Sequence, residues 1–200
     1  MGAQMTARST SSTTDLALVA VFAALVSVLS LVPAVNVGIG VPITLQTLGV
    51  ALCGLVLGPW RGCLAVLLYL VVGLVGLPVF AGGAAGIGVL GKPSAGYLLS
   101  FPVAALVAGL LARRLTRTRL PLLPALFLSG ISASILIIHP SGILGLMVNA
   151  KMDLTKAAMT DLVFWPGDLV KNLLAAAIAA AVFKAFPALS APRRVEPAVQ

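Results

Sequence analysis

The chain alternates long apolar runs with short polar breaks rich in glycine and proline. Runs at about 16–34, 43–58, 62–77, 97–112, 120–138 and 167–187 carry almost no charge. Several approach the ~17 residues that a helix needs to cross hydrocarbon. Gly58-Pro59, Leu77-Pro78, His139-Pro140 and Pro187 punctuate the runs, at positions that suit helix ends better than helix centres. The pattern predicts an all-α integral membrane protein, a bundle of six transmembrane helices over 15–188. A disordered Ser/Thr-rich tail is expected over 1–14, and a second tail over 189–200. Only Arg8 precedes the first run and more apolar runs follow it, so it reads as a retained span rather than a secretory signal. Residues 139–150 stay open: Ile143 to Val148 is too short to span alone. The segment either extends the fifth helix past a kink or dips into the external face.

Composition sharpens this picture. Hydrophobic residues make up 60% of the chain and charged ones 9%, with a mean hydropathy of +1.13. That leaves too little polar surface for a soluble globule and points to the lipid bilayer as surroundings. The net charge of +8 would suit nucleic acid, but the Lys and Arg residues lie between and after the apolar runs. They form no basic stripe with interleaved aromatics, which excludes that partner. Arg8, Arg61, Arg113, Arg114, Arg117, Arg119, Lys184, Arg193 and Arg194 fall on one side of a six-span topology. Lys92, Lys151 and Lys156 fall on the other, with Asp153 and Asp161. The positive-inside rule then places both termini in the cytoplasm. Cys53 and Cys63 sit in or beside apolar runs and read as small core residues. With one histidine and no Cys/His cluster, neither a metal site nor a cofactor is expected.

Small residues mark close-packing faces: Ala20-x-x-x-Ala24 in the first run and Gly54-x-x-x-Gly58 in the second. Each serves either the chain's own bundle or a separate membrane subunit.

The chemistry concentrates in Trp165-Pro-Gly-Asp-Leu-Val-Lys171. Asp168 and Lys171, spaced i,i+3, share one helix face at the start of an apolar helix. Ionisable groups at membrane depth face a cavity, a ligand or each other. Three arrangements therefore stay open: a structural ion pair, two helix-end charges among headgroups, or a ligand site. A ligand served by both needs N–H donors for the carboxylate and an acceptor for the ammonium. Gln46, Thr44, Tyr97 and Asn149 are polar groups at the same outer end, each with an alternative as a local hydrogen-bonding or interfacial residue. His139, beside a proline, reads as a solvated or capping side chain.

Gly82 to Ser94 contains two nucleotide-site patterns, and both fail. Gly86-x-Gly88-x-x-Gly91 lacks the preceding strand of a βαβ unit. Gly86-x-x-x-x-Gly91-Lys92 is followed by Pro93 where a Walker loop needs Ser or Thr. What the stretch does offer is backbone that can approach a small molecule closely; a plain connector is the alternative.

Five ordered blocks go further. Val41-Pro-Ile-Thr-Leu-Gln-Thr-Leu, Gly58-Pro-Trp-Arg-Gly62, Gly76-Leu-Pro-Val-Phe-Ala-Gly-Gly83, Gly96-Tyr-Leu98 and Pro166-Gly-Asp-Leu-Val-Lys171 together resemble the BioY family. These are the biotin-specific substrate-binding (S) components of energy-coupling factor (ECF) transporters. The resemblance covers about 15–185. It implies a six-helix S component in a prokaryotic plasma membrane that captures biotin from outside. Its partners would be a transmembrane coupling (T) subunit and two cytoplasmic ATPases. Under it, Asp168 accepts from the ureido N–H groups and Lys171 donates to a ligand oxygen. Phe80, Gly82, Gly83 and Tyr97 would line the pocket, with Gln46 and Asn149 as further candidates, and Ala20 and Ala24 would dock the T subunit. Lys92-Pro-Ser-Ala-Gly96 and Trp165 depart from the family pattern. Lys92 would either meet the biotin carboxylate or, as read here, face solvent.

Other classes fare worse. An intramembrane enzyme needs more convergent polar groups than these helices supply. A purely structural protein leaves Asp168 and Lys171 without a ligand. A solitary biotin transporter, or an S component for another small vitamin, is the alternative within the same class.

Overall fold

The computed structural model describes residues 6–33 and 41–186, with side chains from residue 13 onward. The helices are α1 (Thr6–Leu31), α2 (Gln46–Leu57), α3 (Pro59–Val75), α4 (Ala95–Leu115), α5 (Leu122–Ala133), α6 (His139–Asn149), α7 (Leu154–Leu162) and α8 (Trp165–Ala185). Two 3-10 turns, Ala81–Gly83 and Ile87–Gly91, fill the α3–α4 connection. The expected tail at 189–200 lies outside the described residues.

Two expectations need correction. Helix α1 begins at Thr6, inside the stretch read as a disordered tail. Ser and Thr are weak helix formers but not breakers, and no Gly or Pro interrupts 6–31. Next, α5 and α6 are one continuous helix, Leu122–Asn149, joined by a π-helical turn at Ser134–Ile138. Pro140 removes one backbone donor and crowds the preceding turn; widening that turn lets the helix continue. His139-Pro140 is therefore a mid-helix feature, and 139–150 is an extension of the fifth span. The all-α membrane bundle is as expected, and its six-helix count is approximate. Among the described residues, four helices are long and apolar enough to cross a membrane, whereas α2 has 12 residues and α3 has 17.

Packing inverts the usual soluble pattern. Helix α8 buries Asp168, Lys171, Asn172, Ala175, Ala176 and Ala179 and turns Leu169, Val170, Leu173 and Leu174 outward. With lipid as solvent, large aliphatics face out while small and polar groups meet inside. Glycine sets the closest approaches. A Cβ on Gly54 would stand 2.4 Å from the Ala105 carbonyl oxygen, and one on Gly109 2.5 Å from Pro59 N. Gly54 thus serves contact between α2 and α4 of the chain's own bundle. The α2–α3 connection is the single residue Gly58, whose φ of 78° favours glycine.

Both ends of the bundle are defined by contacts. Arg61 pairs with Asp15 at 3.1 Å, and the Arg113 side chain lies beside Gly58, so these arginines share one end. At the other, Asn149 Nδ2 donates to the carbonyls of Leu90 (2.9 Å) and Lys92 (2.8 Å). That pins the second 3-10 turn over the end of α6.

Candidate substrate-binding site

A cavity of about 200 Å³ opens beneath the 3-10 turns, between the 41–47 segment, α4, the π turn at Ser134–Ile138 and the start of α8. Its polar floor is Thr47, Asp168 and Lys171, with Gln46 beside them. Phe80, Tyr97, Phe101 and Phe164 supply aromatic walls.

The floor is a closed triangle. Lys171 Nζ donates to Asp168 Oδ1 at 2.7 Å and to Thr47 Oγ1 at 3.0 Å, and the Thr47 hydroxyl donates to Asp168 Oδ1 at 2.9 Å. Asp168 is 3% exposed and Lys171 8%. Both charges are paired and hydrogen-bonded, as burial at this depth requires. Two capacities remain. Among the described residues no donor hydrogen-bonds to Asp168 Oδ2, and Lys171 has used two of its three N–H groups. The floor can therefore accept one N–H and donate one N–H to a neutral polar group in the cavity.

Gln46 stands next to this triangle. Its Oε1 accepts from Thr44 (3.0 Å) and its Nε2 donates to the Tyr69 hydroxyl (2.5 Å). Tyr69 in turn meets Phe80 edge-on, with ring centroids 5.4 Å apart. Gly73 makes room for that ring, since a Cβ there would fall 2.2 Å from Phe80 Cζ. Gly82 (φ 68°) and Gly83 (φ 73°) do not line the cavity. Their left-handed backbone makes the turn that swings Phe80 inward, closed by Gly83 N–H to the Phe80 carbonyl at 2.9 Å. Asn149 is also absent from the lining, because its amide is committed to the two loop carbonyls. Lys92 does reach the cavity lining while staying exposed, contrary to the reading that it only faces solvent.

Sequence reasoning missed a second polar layer behind the floor. His139 is 3% exposed, so it is not the solvated residue expected, and Asp161, read only as one of the external charges, is 1% exposed. His139 Nδ1 lies 3.0 Å from the Asp161 carboxylate, and its Nε2 faces Asp168 Oδ2 at 3.7 Å. The two ring nitrogens point to different carboxylates, so these three residues share no point at which a metal could sit. Thr47 was missed as well. The signal available for both residues was their neighbourhood: Thr47 follows Gln46, and a histidine within an apolar run has to find a buried partner.

The family model described as the BioY family matches residues 4–188. The chain belongs to the BioY family. Relatives include the "Biotin transporter BioY" of Rhizobium etli, 39% identical over 90% of this chain and 98% of that protein. A protein of the same name from Rhodobacter capsulatus is 42% identical over 82% of this chain and 90% of its own length. Among solved structures, the "S-component for biotin from an ECF-type ABC transporter" superposes with a TM-score of 0.82 at 27% identity. It covers 88% of this chain and 93% of its own. The fold is thus the all-α membrane fold of an ECF S component, and BioY is a family of transporters rather than enzymes.

Proposed function

We propose that this chain is the biotin-capturing S component of an ECF transporter, with Asp168 and Lys171 as its central ligand-binding pair. The observation that carries the reading is the residual hydrogen-bonding capacity of the floor: one carboxylate oxygen that accepts no hydrogen bond among the described residues and one unused ammonium N–H. A ureido ring presents the complementary set, N–H donors beside a carbonyl acceptor. Phe80 and Tyr97 bracket the apolar bicycle, and Gln46, held by Thr44 and Tyr69, keeps one Nε2 N–H to donate. Lys92, at the mouth, supplies a cation for the carboxylate tail.

The cavity faces the cell exterior in this reading. Its loop end carries few positive charges, whereas Arg61 and Arg113 mark the opposite, cytoplasmic end, where both termini belong. ATP is hydrolysed by two partner ATPases. Ala20 and Ala24 are exposed on the outer face of α1, where they let a coupling T subunit approach closely.

Titration calorimetry of biotin onto the detergent-purified chain tests this, with Lys171→Ala alongside. Tight binding by the native chain and loss in the variant are expected. A well-folded native chain that binds no biotin would reject the substrate, and an unaffected Lys171→Ala would reject the site.

A further inference from the structure

Asp161 is among the most buried charged residues described, yet it lies outside the ligand cavity. It sits on the inward face of α7, four residues after buried Ala157 and three before buried Phe164. Three donors from three helices converge on its carboxylate: the Tyr97 hydroxyl at 2.8 Å from α4, His139 Nδ1 at 3.0 Å from α6, and Trp165 Nε1 at 2.9 Å from the start of α8. A carboxylate this deep is tolerable only with such a complete donor set, and the set in turn fixes the residues that supply it.

Two of those residues face the binding pair. Tyr97 lines the cavity and meets Phe164 at 5.5 Å between ring centroids. His139 is anchored to Asp161 at Nδ1, and its ring lies against Trp165 at 5.0 Å, tilted by 32°. With the ring so fixed, Nε2 stands 3.7 Å from Asp168 Oδ2, an oxygen that accepts no hydrogen bond among the described residues.

We infer that Asp161 is a positioning residue for ligand capture. Through His139, whose Nε2 lies 3.7 Å from Oδ2, it fixes the rotamer of the Asp168 carboxylate in the cavity floor. The inference rests on the biotin reading above and extends it to a residue that touches no ligand.

Calorimetry on the full detergent-purified chain, with thermal unfolding of each sample, tests it through a double-substitution cycle. Asp161→Asn is expected to raise the biotin Kd about tenfold or more while the protein stays folded. In an Asp168→Asn background the same change should alter Kd by less than about twofold, because its effect passes through Asp168. His139→Gln, which retains a donor for Asp161 but removes the ring, should reproduce the loss and likewise vanish in that background. Native affinity in Asp161→Asn, or losses that multiply in the double variants, would overturn the inference. So would an unfolded Asp161→Asn beside a His139→Gln that binds normally, since Asp161 would then serve the scaffold alone. A native chain without biotin affinity would overturn the ligand reading itself, an outcome visible before any variant is made.

Discussion

Thr47 and Asp168, 121 positions apart, are joined by a 2.9 Å hydrogen bond, and the same Thr47 oxygen accepts from Lys171 at 3.0 Å. One hydroxyl therefore ties α2 to α8 and hydrogen-bonds to both charges. It belongs to the site as fully as the ion pair does.

Thr47→Val keeps the shape and removes this bridge. Losing it costs about 1–3 kcal/mol, or about five- to a hundredfold in biotin Kd. Calorimetry should show Thr47→Ser near the native value, because serine restores the hydroxyl. Equal losses in both variants would mean that the methyl group matters and the bridge does not.

Asp168→Asn replaces one carboxylate oxygen by an amide donor aimed at a donor. Loss of the charge-assisted contact costs about 1.5–3 kcal/mol, about ten- to a hundredfold in affinity. The helix itself should form, since the substitution leaves the α8 backbone untouched. Unchanged biotin affinity would remove Asp168 from the site.

Gly73 and Gly88 predict opposite outcomes for the same kind of change. Gly73→Ala places a methyl where the Phe80 ring sits, whereas a Cβ on Gly88 meets nothing within 4 Å. Gly73→Ala is expected to destabilise by about 1–3 kcal/mol through overpacking and to weaken biotin binding with it. Gly88→Ala should leave both the melting temperature and the affinity within error. A Gly73→Ala protein with native melting and binding would show that Phe80 is not held as described.

Ala20→Leu with Ala24→Leu bulks the exposed face of α1 without entering the bundle. Biotin binding to the isolated chain should be unchanged, while co-purification with the T subunit is lost. Retained co-purification would move the docking face elsewhere.

Hydrophobic periodicity, charge asymmetry and five short blocks were enough to establish an α-helical membrane protein, its family and the Asp168–Lys171 pair. These are local properties. An i,i+3 spacing fixes two residues on one face whatever surrounds them, and an apolar run partitions into lipid by composition alone.

Tertiary structure decided the rest. His139 looked like a helix-ending, solvated residue because proline beside it usually stops a helix. The π turn at Ser134–Ile138 carries the helix through instead and turns His139 inward. Asp161 looked like a loop charge because α7 is short and carries Lys156 and Asp161 among its nine residues. Only the convergence of Tyr97, His139 and Trp165 makes its burial tolerable. Gly82, Gly83 and Asn149, expected to line the pocket, do not line it; they shape and pin the loops above it. The division has one physical cause. Helix type and lipid exposure follow from neighbours in sequence, whereas a buried charge is stabilised by donors brought from distant helices, and spacing along the chain carries no record of which donors those are.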